Sequence, residues 1–268
     1  MKAIIYILFF VSITSCNKQL AKKSSKFETQ KSVDSTNLIK EEKNLLKIHN
    51  AILETFANNR NDSLIALNSR KFTDSITHLI QKNANTFHYP FELLQKENAL
   101  NLITSPDKKL RVYSWDNHLG GTMRFFNQIF QFQSNNQIAT EIHLAEQDPQ
   151  AFFSKIYEAK NDKETFYLVI SNSILWSSYH VQHINAYKIA DNKLQDVSIF
   201  KTKKELLSSI SVEFDFVSVV ERSERPVELI KFEGNILKIA LVDNNQNVTN
   251  KNLIYEWNGN LFTYIGVK

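Results

Sequence analysis

Cysteine occurs once in the 268 residues, at position 16. A single thiol excludes a disulfide framework, a thiolate zinc site and an iron–sulfur cluster, all of which need several sulfurs. Glycine and proline are scarce, with five and four copies, which excludes collagen-like and low-complexity architectures. So few glycines leave no Walker phosphate loop, no dinucleotide fingerprint and no G-x-S-x-G serine elbow. No charge dominates: 32 basic and 28 acidic side chains give a formal +4. Nucleic-acid binding needs a clustered basic face, so nucleic acid is not an expected partner. What is plentiful is apolar, 43% of residues against 22% charged, a globular composition able to bury a sizeable core.

The notable uncharged run opens the chain, where Met1-Lys2 is followed by Ala3 through Ile13. About eleven mostly apolar residues after a basic start fit a signal-peptide hydrophobic region and fall short of the roughly twenty that span a bilayer. Next comes Ile13-Thr14-Ser15-Cys16, which resembles the lipobox of bacterial lipoproteins: an aliphatic residue, two small residues, then the obligatory cysteine. The resemblance implies that residues 1–15 are a signal peptide and that the Cys16 thiol takes a diacylglycerol. Cleavage before Cys16 then frees an amine for further acylation. Two or more chains anchor stably, since each buried methylene contributes ~0.8 kcal/mol. The same resemblance implies a cell-envelope protein of the outer membrane. Surface-exported lipoproteins of the Bacteroidota carry an acidic run after the cysteine; Asn17-Lys18-Gln19 lacks one, which points to the periplasmic face. The resemblance covers this segment alone and leaves the activity of the body open.

Residues 16–36 read as the lipidated cysteine and a polar tether. Residues 37–104 read as helical. Leu45, Ile48, Ile52 and Phe56 make one amphipathic stripe, and Ile65, Phe72, Ile76 and Leu79 or Ile80 make a second. Asp62 or Ser63 suits the cap of the second helix, and Pro90 suits the first turn of a third carrying Phe91 and Leu94. From 105 to 268 the period becomes two, with strand candidates at 110–115, 124–132, 138–144, 166–170, 181–189, 212–219, 229–232, 236–242, 253–257 and 261–265. Asn258-Gly259 is the sharpest hairpin signal. Residues 146–156 read as a helical turn or a loop. The expected fold is therefore α+β: an N-terminal helical segment packed with a mainly antiparallel β meander as a curved sheet, open barrel or sandwich. Ser105 through Asp116 also resembles the inner hairpin of a WD- or TolB-type propeller blade. Lys108 stands where that pattern has glycine, and the motif does not recur, so a propeller is not expected.

Chemistry-bearing residues are dispersed. The seven histidines, His49, His78, His88, His118, His143, His180 and His183, form no ligand triad, so no metal and no cofactor are expected. Acidic residues such as Asp116, Glu141 and Glu213 carry no readable separation. The densest cluster is Trp115-Asp116-Asn117-His118, followed by Leu119-Gly120-Gly121-Thr122. As the rim of a ligand site, Trp115 would stack while Asp116, Asn117 and His118 would hydrogen-bond. In the favoured alternative Trp115 fills the core, Gly-Gly makes a tight connection and the polar residues solvate it. Trp176 through His183 has the same ambiguity. The expected function is a membrane-anchored, non-enzymatic binding or accessory lipoprotein with an envelope protein or glycan as partner. The alternative is a periplasmic hydrolase using Asp116 and His118.

The anchor is directly testable. Mass spectrometry of the mature protein is expected to show an acylated N-terminal Cys16, and Cys16→Ala to release the body or leave the signal uncleaved. An unmodified Cys16 in the mature, membrane-bound protein would exclude it.

Overall fold

A computed structural model describes residues 35–58, 60–145 and 150–268. The expected signal peptide, Cys16, nearly all of the expected tether and residues 146–149 of the expected loop lie outside the described residues.

Helix α1 (Ser35–Asn58) leads into α2 (Asp62–Lys82), a 3-10 turn at Ala84–Phe87 and a one-turn α3 (Glu92–Lys96). The buried seam of α1 runs through Leu38, Glu42, Leu45, His49 and Ile52, rotated from the stripe drawn through apolar residues alone. Two polar residues belong to it because they have partners. Glu42 accepts the Leu93 and Leu94 amides at 2.8 and 3.2 Å and the Tyr89 hydroxyl at 2.6 Å. A helix too short to stabilise itself is thereby capped from a neighbour. Phe91 does not sit inside α3 but precedes it with φ 51°, fully buried. Asn61, rather than Asp62 or Ser63, caps α2.

The first sheet consists of β1 (Asn101–Thr104), β2 (Leu110–Asp116), β3 (Phe126–Ser134) and β4 (Gln137–His143), paired in that order. Strand β1 thus occupies the end of the expected helical segment. Next come β5 (Phe152–Lys160), β6 (Thr165–Ile174), β7 (Tyr179–Ala190) and β8 (Lys193–Asp196), then the short β9 (Phe200–Lys201) and β10 (Leu206–Leu207). After β11 (Ser209–Asp215), which becomes a 3-10 turn at Phe216–Val219, the chain runs through β12 (Ile230–Glu233), β13 (Ile236–Val242), β14 (Val248–Trp257) and β15 (Phe262–Val267). The second sheet has the order β11-β7-β6-β5, with β8 on β7, and the third β10-β9-β15-β14-β13-β12. Pairing is antiparallel except for β15 with β9. The fold is α+β, as the sequence predicts.

Residues 152–160, read in part as loop or helical turn, are strand β5. The reason is a register shift between Phe153 and Lys155. The irregularity turns Phe153 and Ile156, three apart, into one core, which imitates helical spacing.

The molecule is layered, and its inner sheets are covered on both sides. On β2 and β3, Tyr113, Trp115 and Ile129 meet Leu45, Phe72 and Ile76 of the helices. The opposite face, Leu110, Val112, Phe130 and Phe132, meets Phe153, Tyr167 and Val169 of the second sheet. That sheet's other face, Phe166, Leu168, Ile170 and Ile184, packs on Leu237, Ile239, Tyr255 and Phe262 of the third. Strand β6 is consequently buried almost end to end, which removes the alternation a one-sided strand shows.

Double coverage strands polar groups away from water. Arg111 donates to the Phe87 carbonyl at 2.6 Å and to that of Tyr89, and Tyr113 to that of Thr86 at 2.9 Å. Gln182, 1% exposed on β7, joins the second sheet to the segment entering the third. Its amide nitrogen donates to Asn172 Oδ1 and to the Val227 carbonyl, both at 2.7 Å, and its oxygen accepts the Leu229 and Ile230 amides at 2.8 and 2.9 Å.

The turns use few glycines. Lys108, where a propeller hairpin has glycine, adopts φ 61°, and Asn135-Asn136 and Asp191-Asn192 take left-handed conformations in two further hairpins.

Gln182→Leu keeps the volume and removes the four bonds. Each buried group left unpaired costs about 1–3 kcal/mol, so a loss of about 3 kcal/mol or more is expected in urea denaturation. A loss below about 1 kcal/mol would show that the segment needs no such clasp.

Candidate functional site

A deep concavity lies where the strands of the first two sheets end together. Trp115 and Asp116 close β2, Phe126 opens β3 and Phe152 opens β5. Asn172 and Ile174 finish β6, His180 and Val181 begin β7, and Phe214 and Phe216 mark the passage from β11 to its 3-10 turn. The Arg225-Pro226-Val227 segment completes the wall, enclosing about 580 Å³. That falls within the roughly 300–1,000 Å³ of small-molecule sites.

Aromatic contacts hold the walls. Phe126 and Phe152 pack at 5.1 Å between ring centroids. The His180 ring stacks on Phe216 at 4.7 Å and 25° and stands edge-on to Phe214 at 5.9 Å. Arg225 places its guanidinium 5.3 Å from the Phe216 centroid. Backbone bonds fix the rim: the Arg124 amide reaches the Ile174 carbonyl at 3.0 Å, and the Phe216 amide the Ser178 carbonyl at 2.6 Å. Burial lowers the His180 imidazole below its ordinary 6.5, opposed by a hydrogen bond to the Ser177 backbone.

The four predicted residues divide between two sides. Trp115 is a core residue, 3% exposed, packed on Phe72 at 6.3 Å and donating to Thr73 Oγ1 at 3.2 Å. It reaches the cleft as part of its floor. Asp116 stands beside it, one oxygen accepting the His118 backbone amide at 2.7 Å and the other pairing with Arg124 at 3.1 Å. Asn117 and His118 do not line the cleft. Asn117 is buried; its side chain donates to the Ala145 carbonyl at 3.3 Å and accepts the Leu119 amide at 2.9 Å, while its carbonyl accepts from Ser69. His118, at φ 58°, turns its ring to His49 at 5.6 Å and Phe56 at 5.9 Å. Gly120 makes the tight connection, since a Cβ there would stand 2.0 Å from the Met123 carbonyl oxygen. From the later segment, His180 and Val181 join the cleft, whereas His183 faces Ser211 Oγ at 2.8 Å.

The residues that sequence reasoning missed are Phe126, Phe152, Phe214, Phe216 and Arg225. The sequence trace of the four phenylalanines is the high count of that residue, 19 in all, and Arg225 leaves none. Among the described residues no group of three or more His, Cys, Asp or Glu is arranged to hold a metal ion. No protein-family model matches the sequence, and neither a curated protein nor a solved structure does so.

Buried His49 and half-buried His118 form an imidazole pair, 5.6 Å between ring centroids. Burial lowers both below 6.5; the charge of His118 lowers His49 further against Glu97 and Asp116, and Arg124 lowers His118 further against Asp116. Both stay neutral in the folded protein at a pH where the unfolded chain binds a proton. Stability is therefore complete above the unfolded value near 6.5 and falls as the pH drops below it. His118→Asn, which tolerates the left-handed backbone, is expected to flatten part of this fall in melting temperature between neutral and acidic pH. An unchanged slope would place the titration elsewhere.

Proposed function

We propose that the protein is a lipid-anchored protein of the cell envelope, held through Cys16 and facing the periplasm, whose body binds a ligand in this cleft without transforming it. The lipobox-like run supports the anchor. One observation carries the binding reading: the titratable groups around the cleft are already bonded to the protein. A general acid or base needs a proton site open to the substrate. Asp116 gives its oxygens to the His118 amide and Arg124, and the His180 ring is held between Phe216, on which it stacks at 4.7 Å, and Phe214 at 5.9 Å. Arg225 is held by the Val220, Arg222 and Glu224 carbonyls at 2.5–2.7 Å. A hydrolase built on Asp116 and His118 needs the imidazole bonded to the carboxylate; the carboxylate instead takes that residue's backbone amide, and the ring packs on His49 and Phe56.

The test places a photoreactive benzoylphenylalanine at Phe152, in the cleft, and at exposed Lys251 as control, in the full chain in its own membrane. Irradiation is expected to yield a discrete small-molecule adduct at position 152 alone. An adduct pattern equal at both positions would remove the cleft as the binding site.

A further inference from the structure

What the cleft binds can be argued from what its wall leaves unbonded. Its half-buried and buried amides and hydroxyl are satisfied internally. Asn101 donates to the Phe153 carbonyl, and Ser114 accepts the Phe153 amide at 3.3 Å. Asn172 donates to Ser154 at 2.9 Å and accepts from Gln182 at 2.7 Å. A sugar needs many free donors and acceptors to replace its lost water; beyond the exposed amides of Asn98 and of Gln95, which donates to the Pro90 carbonyl at 2.7 Å, this wall offers few. What lines the same space is apolar: half-buried Phe126, Phe152, Ile174 and Phe216, with the small exposed parts of Val181 and Phe214.

Size and charge narrow the class. A cavity of ~150 Å³ accommodates benzene, so about 580 Å³ holds roughly four times that, on the order of two dozen carbon atoms. Exposed apolar side chains also follow the cleft residues in sequence. Trp176, Val217 and Val220, flanking cleft residues Ile174 and Phe216 along the chain, are 57%, 64% and 47% exposed. At the exposed rim stands Arg225, pinned by three backbone carbonyls. Among the described residues no carboxylate pairs with it, and its Nε–H and one Nη2–H are not used by those bonds.

Resting on the binding reading above, we propose that the cleft takes a single long acyl chain carrying an anionic head: the chain lies among the phenylalanines and the head meets Arg225 at the rim. Each methylene withdrawn from water adds to binding, and the guanidinium fixes the end at which the chain stops.

The experiment uses the full chain in its native membrane. It is irradiated with a diazirine-bearing palmitic acid, with the methyl ester of that probe and, separately, with a diazirine-bearing disaccharide, and the labelled peptides are identified by mass spectrometry. The acid is expected to label peptides containing Phe126, Phe152 or Phe214, saturably, and to be displaced by excess unlabelled palmitate. Phe152→Asp is expected to lower that labelling about tenfold at an unchanged melting temperature; if that variant does not fold, displacement by palmitate decides alone. Arg225→Gln is expected to lower labelling by the acid several-fold while sparing the ester. Equal loss of both probes in Arg225→Gln would overturn the head-group assignment. Cleft labelling by the disaccharide and not the acid would overturn the acyl chain while leaving the binding reading intact. No cleft labelling by any probe, together with no adduct at position 152, would overturn both.

Discussion

The four hydrogen bonds of Gln182 address the constraint that shapes this molecule. A sheet covered on both faces cannot send its polar groups to water, so each must find a partner inside. The gap between β7 and the chain entering β12 has no strand to fill it. One carboxamide, with two donors and a two-fold acceptor, does the work of a short ladder there, bonding Val227, Leu229 and Ile230. The same demand recurs on the helical side, where Thr73 accepts from both Trp115 and Asn127 and Gln131 reaches the Ile80 carbonyl. The interior is thus specified by polar pairing as well as by apolar volume.

The cleft follows from the same layering. Face-to-face packing satisfies the middle of each strand, and the cleft lies at the strand ends, where aromatic residues line it. Phe126, Phe152 and Phe214 end or begin strands at that one edge. Gln182 also fixes its wall, because its bonds to Asn172 and Val227 hold two lining residues. Scaffold and site therefore share a support.

Much of the fold was legible. The α2 stripe, the change of period near residue 105 and most hairpins could be read because periodicity reports burial directly. Three things could not. The α1 seam was drawn past Glu42 and His49 because a polar residue reads as solvent-facing until its partner is known. Strand β5 was obscured by its irregular register at Phe153 and Lys155. The cleft is half visible: Trp115 and Asp116 stand out as a local cluster, but adjacency in sequence also sweeps in Asn117, whose side chain bonds Ala145 and Leu119, and His118, whose ring meets helix α1. The remaining wall comes from strand ends far apart in sequence, and a spatial convergence leaves no local pattern.

The turns carry a further consequence. With glycine so scarce, nine described non-glycine residues adopt positive φ, among them Lys108, Asn135, Asn136, Asp191 and Asn192. A side chain in that conformation costs about 1–2 kcal/mol in general, less for asparagine and aspartate. The same side chain narrows the unfolded ensemble, an effect of about 0.4–1 kcal/mol against glycine. The protein thus holds its hairpins under slight local tension while starting from a stiffer denatured chain. Glycine at Lys108 would relax the turn and loosen the unfolded state together, so the net change there is a small difference between two opposed terms, and the turn chemistry sets how the chain reaches its fold as much as how firmly it stays there.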